Sequence, residues 1–163
     1  QQQEPQAIAL WQKALLEDPE HGALQKKVGE ALLRQGRSEE ASMAYEKAIL
    51  ADHADAGAVL GAAEAAMAIG EENRARHHLE NLGQHNVDSP QLAFRLGILC
   101  HQLDQSESAL FAFRQAVALA PEQGIYRAMM ARALAETGDR SAAADEADEP
   151  LVHPLSLRDR ERC

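Results

Sequence analysis

Apolar and polar positions recur along this chain with a period longer than any single helix. Between turn residues, the apolar positions are spaced three or four residues apart, as on one face of an α-helix. This helical pattern then repeats every 34 residues. Alanine stands at Ala7, Ala41, Ala75, Ala109 and Ala143, and a bulky apolar residue follows four positions later at Trp11, Tyr45, Leu79 and Phe113. The pattern therefore predicts an array of helical repeats.

Each repeat divides into two helices at a small residue. Residues 22–35 carry Leu24 and Val28 on one helix face, and Gly36 then supplies the positive φ that favours a helix end. Ser38 is expected to cap the second helix, whose acidic first turn suits the positive end of the helix dipole. Glycine recurs at Gly70 and Gly138, with Asp104 at the remaining equivalent position. Ser89-Pro90, Ser106 and Asp139 are expected to open later helices.

This arrangement resembles the tetratricopeptide repeat, a helix-turn-helix unit of the same length. The residues that carry the resemblance are Val28-Gly29 and Leu96-Gly97 in first helices, the alanine and aromatic positions of second helices, and a proline at the repeat end, as at Pro121. The resemblance implies an all-α fold, a right-handed superhelix, or solenoid, of antiparallel helix pairs.

The resemblance also implies a division of the chain. We predict a repeat array over residues 1–148 and a C-terminal tail or linker over 149–163. The lone second helix at the start predicts a longer parent protein. Within the array we expect a second helix of a preceding repeat at 4–17, repeats at 22–55, 56–89 and 90–123, and a partial repeat at 124–148.

Composition and charge narrow the classes of partner. The chain has 16 Lys and Arg against 26 Asp and Glu, a net charge of −10, so we expect no nucleic acid partner. No apolar run approaches the roughly 18 to 20 residues of a membrane span, so we expect no direct membrane insertion. Two cysteines do not define the redox compartment. The cytoplasm is the default expectation and the periplasm the alternative.

The residues able to perform chemistry are not arranged as a site. His77 and His78 are neighbours that diverge by about 100° on a helix, and no His-x3-His pair exists, so we expect no metal and no cofactor. Cys100 and His101 diverge in the same way. Cys100 also falls at a position that is apolar in the other repeats, which favours a packed thiol over a nucleophile. With no phosphate loop or nucleophile motif, we expect no catalysis.

The resemblance implies instead a concave groove lined by the first helix of each pair. The set of inward positions is half apolar, which predicts an apolar strip with charged ends. Packing of some of these side chains against neighbouring helices remains the alternative. The positions are Lys26, Glu30, Leu33, Leu60, Glu64, Met67, Phe94, Ile98, His101 and Arg132.

One subclass of the family grips the C-terminal carboxylate of a chaperone with a clamp of Lys, Asn and Arg side chains. This chain matches that clamp only at Lys26 and Arg95, while Glu30 and Gly61 stand where asparagine is required and Gln91 where lysine is. A chaperone tail is therefore not expected.

The sequence thus predicts a non-catalytic interaction module or scaffold that binds a peptide or protein segment in its groove. Two alternatives stay open. The chain could be a regulatory or targeting domain of an enzyme whose catalytic part lies outside it, or a homo-oligomerisation module. Self-association could use residues 150–163, because the apolar stretch 151–157 could lie in its own groove or in that of a second copy.

Overall fold

The structure, a computed structural model, describes residues 3–83 and 87–138 of the chain. These residues form eight α-helices and no strand, which confirms the predicted all-α class. The chain divides into two compact units, Gln1–His85 and Asn86–Cys163. The predicted cap Asp139 and the predicted tail 149–163 lie outside the described residues. The helices are α1 (Gln3–Glu17), α2 (Gly22–Arg34), α3 (Ser38–Ala51), α4 (Ala56–Ala68) and α5 (Glu72–Gly83) in the first unit, and α6 (Pro90–Gln102), α7 (Ser106–Leu119) and α8 (Gly124–Glu136) in the second.

The sequence period of 34 residues is also the period of the helices. The first helices of successive pairs begin at Gly22, Ala56, Pro90 and Gly124, and the second helices α3, α5 and α7 begin at Ser38, Glu72 and Ser106, each 34 residues after the last. Each helix pair therefore repeats the one before it in the length of its first helix and in the starting positions of the helices.

The turns inside the pairs share one helix-stop geometry. The backbone is left-handed at Gly36, Gly70 and Gly138, with φ of 75°, 80° and 89°, and Asp104 adopts the same conformation with φ of 57°. At Gly36 and at Asp104, the amide of that residue and the amide of the next each donate to a carbonyl of the last helical turn, at 2.9 to 3.1 Å. Asp104 therefore ends its helix as the glycines do, although it carries a side chain.

The observed N-terminal caps of the helices agree with the predicted ones at one position and differ from them at two. Ser89 accepts a hydrogen bond from the amide of Leu92 at 3.4 Å and precedes a proline at the start of α6, as predicted. The prediction that Ser38 and Ser106 are caps is wrong, because each is the first residue of its helix and Arg37 or Gln105 precedes it without a side-chain cap bond. The physical reason is that the backbone amide of Arg37 or Gln105 donates to a carbonyl of the helix that has just ended. The next helix can therefore begin only at the residue that follows.

Aromatic side chains of the second helices fill notches made by glycines. In the first unit Tyr45 is 1% exposed, and its ring packs over Gly61 of α4, where a Cβ atom would overlap it, and over Gly29 of α2, where a Cβ atom would be in tight contact with it. In the second unit the Phe113 ring is fully buried against Gly97 of α6 in the same manner. These contacts explain why small residues alternate with aromatic ones along the chain.

Candidate peptide-binding face

The predicted site residues lie on the first helices of the pairs. We call these positions the first-helix face of each unit. In the first unit it lies on α2 and α4 and comprises Lys26, Glu30, Leu33, Glu64 and Met67. In the second unit it lies on α6 and α8 and comprises Phe94, Ile98, His101 and Arg132.

An ion pair links the two helices of this face in the first unit. Lys26 Nζ on α2 donates to Asp55 Oδ2 at 2.6 Å, and Asp55 Oδ1 accepts from the amide of Ala58 at 3.1 Å, which caps α4. Partial burial alone would raise the pKa of Asp55, but hydrogen bonds from Lys26 and from the Ala58 and Gly57 amides outweigh it, so this pKa lies below its usual value. Lys26 is therefore engaged by its own chain.

The remaining side chains of this face differ in exposure. Glu30 is exposed, whereas Leu33, Glu64 and Met67 are half-buried. Leu60 was expected among them but is fully buried, so its side chain offers no surface to a partner. The reason lies in α4, whose many alanines and glycines let the neighbouring helices close around most of its circumference. The apolar strip of the first unit thus reduces to Leu33 and Met67.

An aromatic cluster forms the face in the second unit. The half-buried Phe94 ring of α6 lies 4.7 Å from the Tyr126 ring of α8 and 5.8 Å from the Phe113 ring of α7, between ring centroids. Tyr126 is 8% exposed and Phe113 is fully buried, so both support the inner side of Phe94. Ile98, also half-buried, follows one turn later on α6. The result is a partly exposed aromatic ring on a rigid base.

The polar end of this face is a network of three side chains. Glu136 on α8 accepts from Arg132 Nε at 3.1 Å, and its other oxygen lies 3.1 Å from His101 Nδ1 on α6. The Arg132 side chain is 61% exposed, whereas the His101 side chain is 24% exposed. Arg132 is therefore the more accessible donor for a ligand carbonyl or carboxylate.

Three side chains that contact these residues were not predicted from the sequence. Asp55, Tyr126 and Glu136 each hold a predicted site residue in place. Asp55 could have been found, because it stands at the start of α4 where Ser89 caps α6 one period later. The spacing of Arg132 and Glu136, four residues apart on one helix, was a second signal. Nothing in the spacing indicates that Phe94 and Tyr126 stack.

Two of the candidate chemical groups can be checked in the described ranges. Over residues 3–83 and 87–138, no three His, Cys, Asp or Glu side chains come close enough together to hold a metal ion. Cys100 is 1% exposed, and burial raises its pKa to about 11, which confirms a packed thiol. In the same part of the chain, no helix is both long enough and apolar enough to span a membrane.

A comparison with sequence families agrees with the repeat pattern. The family model described as Tetratricopeptide repeat matches residues 27–55 and 90–123. No protein with curated annotation matches the chain at a significant level.

Solved structures of similar fold include two of MamA and one of YrrB. A crystal structure of MamA matches with a TM-score of 0.70 and 19% sequence identity, covering 95% of this chain and 87% of that chain. The structure of MamA 41-end from Desulfovibrio magneticus RS-1 matches with a TM-score of 0.69 and 17% sequence identity, covering 98% of this chain and 87% of that chain. YrrB, described as a TPR protein with an unusual peptide-binding site, matches with a TM-score of 0.67 and 19% sequence identity, covering 98% of this chain and 84% of that chain. At these identities the likeness establishes the fold.

Proposed function

Since this chain is a tetratricopeptide-repeat protein with an all-α solenoid fold, we propose that it is a non-catalytic interaction module. Its first-helix faces bind a peptide segment of a partner protein. Proteins of this repeat type build their binding surfaces from stacked helix pairs, and such surfaces are largely preformed. Preformed surfaces lose little conformational freedom on binding, which favours affinity for a short segment.

The observation that carries this proposal is the setting of Phe94. A partly exposed aromatic ring that is fixed from behind by two buried rings meets the usual description of a binding hot spot. Because the ring is already held in place, a ligand that covers it gains apolar contact at little entropic cost. Ile98 extends the apolar contact by one turn.

The charges indicate which peptides fit. On the first unit's face Glu30 is exposed, and Lys26 is already paired with Asp55. The whole chain carries a net charge of −10, which repels an acidic segment and steers a basic one towards it. The expected ligand is therefore an apolar segment with a basic or neutral flank.

The structural neighbour YrrB supports the class of ligand but not its identity. YrrB is described as having an unusual peptide-binding site, and its fold matches that of this chain. Peptide binding by this chain is our proposal and rests on its own residues.

The proposal is tested by selecting peptides from a random dodecapeptide display library on the 163-residue chain. Selected peptides are then titrated against Phe94→Ala, with Phe111→Ala as the matched control, because Phe111 is a phenylalanine of the same unit that is 45% exposed on α7. We expect Phe94→Ala to weaken binding by about 10- to 30-fold and Phe111→Ala to leave it unchanged.

Circular dichroism shows whether each variant is folded. Ile98→Ser provides a second change on the same face in case Phe94→Ala loosens the aromatic cluster. A Phe94→Asp change is less suitable, because it places a carboxylate beside the buried Phe113 ring. Selected peptides that bind folded Phe94→Ala and Ile98→Ser with unchanged affinity would place the site elsewhere.

The C-terminal tail is tested separately. Residues 150–163 lie outside the described residues, and their docking in a groove stays a prediction. Deletion of these residues tightens binding of a selected peptide if the tail competes for the face, because an intramolecular competitor is lost. Unchanged affinity after deletion makes the tail a linker.

A further inference from the structure

Glu136 organises the polar end of the second unit's first-helix face. Its Oε1 accepts from Arg132 Nε at 3.1 Å, and its Oε2 lies 3.1 Å from His101 Nδ1. Glu136 is on α8 and His101 is on α6, so the carboxylate joins the two first helices of this unit. It therefore fixes the position of both side chains that a ligand meets at this end of the face.

The carboxylate also decides which nitrogen of His101 carries the proton. An ionised carboxylate accepts hydrogen bonds and donates none, so the imidazole nitrogen that faces it is the protonated one. In the neutral imidazole the proton of His101 is therefore on Nδ1, and Nε2 keeps its electron pair. Towards a ligand, His101 Nε2 is then an acceptor and not a donor.

His101 Nε2 is open to such a ligand. Within residues 3–83 and 87–138, the buried side-chain polar atoms without a hydrogen-bond partner are Ser42 Oγ and His78 Nε2. His101 Nε2 is not one of them, and in those ranges the His101 ring has no polar contact other than the one at Nδ1. The His101 side chain is 24% exposed, so Nε2 is its accessible polar atom.

Arg132 places hydrogen-bond donors beside this acceptor. Its side chain is 61% exposed, and in the described part of the chain its terminal amino groups have no acceptor other than Glu136. The face thus presents an acceptor on α6 and donors on α8. An amide group carries the matching pair, because its N–H donates and its carbonyl oxygen accepts. A carboxylate lacks the N–H and would be repelled by Glu136.

The Phe94 ring lies within reach of the same ligand. Phe94 and His101 are seven residues apart on α6, which is about 10 Å along the helix axis. An extended peptide covers this distance in about three residues. A segment that covers Phe94 can therefore bring an amide group about three residues away to His101.

From these observations we propose that the second unit's face binds an amide group of its peptide ligand. His101 Nε2 accepts the amide N–H, and Arg132 donates to the carbonyl oxygen. The amide belongs to an asparagine or glutamine side chain or to the main chain of the peptide. Glu136 is a positioning residue, because it holds Arg132 and keeps the proton on His101 Nδ1. This assignment rests on the proposed function, since the amide is part of the peptide that covers Phe94.

Exchange of amides for esters in the peptide removes the N–H without changing the charge. The probes are dodecapeptides selected by display on the 163-residue chain that lose affinity in Phe94→Ala. Side-chain amides are replaced by methyl esters and main-chain N–H groups by ester oxygens, one at a time. At pH 8 we expect one exchange to weaken binding about 3- to 10-fold, because an ester oxygen then faces the electron pair of Nε2. Its position shows whether a side chain or the main chain supplies the amide.

Glu136→Gln gives a readout that a loss of packing would not give. The new carboxamide oxygen accepts from Arg132, and its amino group donates to His101 Nδ1, so the imidazole proton moves to Nε2. His101 becomes a donor towards the ligand, and this variant should bind the sensitive ester at least as well as the amide. Glu107→Gln is the matched control, because Glu107 is an exposed glutamate on α7 of the same unit. It removes the same charge and should keep the preference for the amide.

His101→Leu removes the acceptor and serves as the second variant. It should bind the amide and the ester equally, and circular dichroism shows that each variant is folded. Three results would overturn the inference while peptide binding at Phe94 stands. They are that no exchange weakens binding more than twofold, that folded Glu136→Gln keeps the preference for the amide, or that folded His101→Leu keeps it. A library that yields no binder, or only binders that ignore Phe94→Ala, would overturn the proposed function and this inference with it.

Discussion

Asp104 shows how a single residue departs from the repeat without changing the fold. Its backbone takes the left-handed conformation that glycine takes at Gly36, Gly70 and Gly138, and its turn has the same pair of amide hydrogen bonds as the turns at Gly36 and Gly70. A residue with a Cβ atom is strained in this conformation, although aspartate is among the least penalised. The backbone conformation of this turn is therefore set by the hydrogen bonds that end the helix and not by the type of residue at position 104.

Asp104→Gly should accordingly stabilise the protein. Release of the left-handed strain outweighs the added freedom of glycine in the unfolded chain, and we expect a gain of about 0.5 to 1 kcal/mol in the free energy of unfolding. Urea titration measures it. The reverse change, Gly36→Asp, serves as the control and should destabilise; equal stability of the wild type and both variants would show that the turn carries no strain.

Phe113 should be one of the most costly side chains to truncate. It is 0% exposed and fills the notch at Gly97. Phe113→Ala should cost about 3 to 5 kcal/mol, whereas Arg114→Ala, at the exposed neighbouring position, should cost within about 0.5 kcal/mol. Small and equal losses in denaturant titrations of the two variants would contradict the packing described for α6 and α7.

Cys100 should be chemically inert in the folded protein. Burial raises its pKa to about 11, so the reactive thiolate is scarce at pH 8, and 1% exposure blocks access to the sulfur. In a Cys163→Ser variant, iodoacetamide should label the native protein at least about 100-fold more slowly than the protein in guanidinium. Labelling at comparable rates in both conditions would restore the reactive-cysteine interpretation.

At the scale of elements, the helices follow from the sequence because their signals are local. The apolar spacing and the glycine stops define each pair, and the structure places helices where these signals predict them. The predicted caps Ser38 and Ser106 were each wrong by one residue, because the amide of the residue before them belongs to the stop of the preceding helix. Contacts between helices depend on side-chain packing, which spacing does not encode. The burial of Leu60 and the stacking of Phe94 on Tyr126 were therefore found only in the structure.

The link between α2 and α4 gives a prediction with a defined pH dependence. Asparagine at position 55 can still cap α4 but cannot pair with Lys26, so Asp55→Asn should cost up to about 1 kcal/mol at pH 7. The pKa of Asp55 is lowered in the folded protein, so its contribution is complete above the unfolded value of about 3.9 and is lost as the pH falls further.

Thermal or urea unfolding at pH 7 and at pH 2.5 checks this sign. The stability difference between the wild type and Asp55→Asn should shrink at the lower pH. Lys26→Met is the companion variant and should show the same trend. A difference that is equal at both pH values would mean that the ion pair does not stabilise the contact between α2 and α4.

At the scale of the whole molecule, the chain contains helix pairs of one kind whose two helices have different roles. The second helices α3 and α7 carry buried aromatic residues that pack on first helices, and the first helices carry the residues proposed to meet a ligand. The sequence predicted this division of roles through the family resemblance. It could not specify the ligand, because a binding surface is defined by exposed side chains that the repeat leaves free to vary.

A map of amide chemical shifts shows whether a ligand binds on the first helices. The isotope-labelled 163-residue chain is titrated with a peptide selected from the display library, and shift changes are followed in two-dimensional NMR spectra. We expect the largest changes on α6 and α8 around Phe94, Ile98 and Arg132, with smaller ones on α2 and α4. Changes concentrated on the exposed sides of α3, α5 or α7 would contradict it.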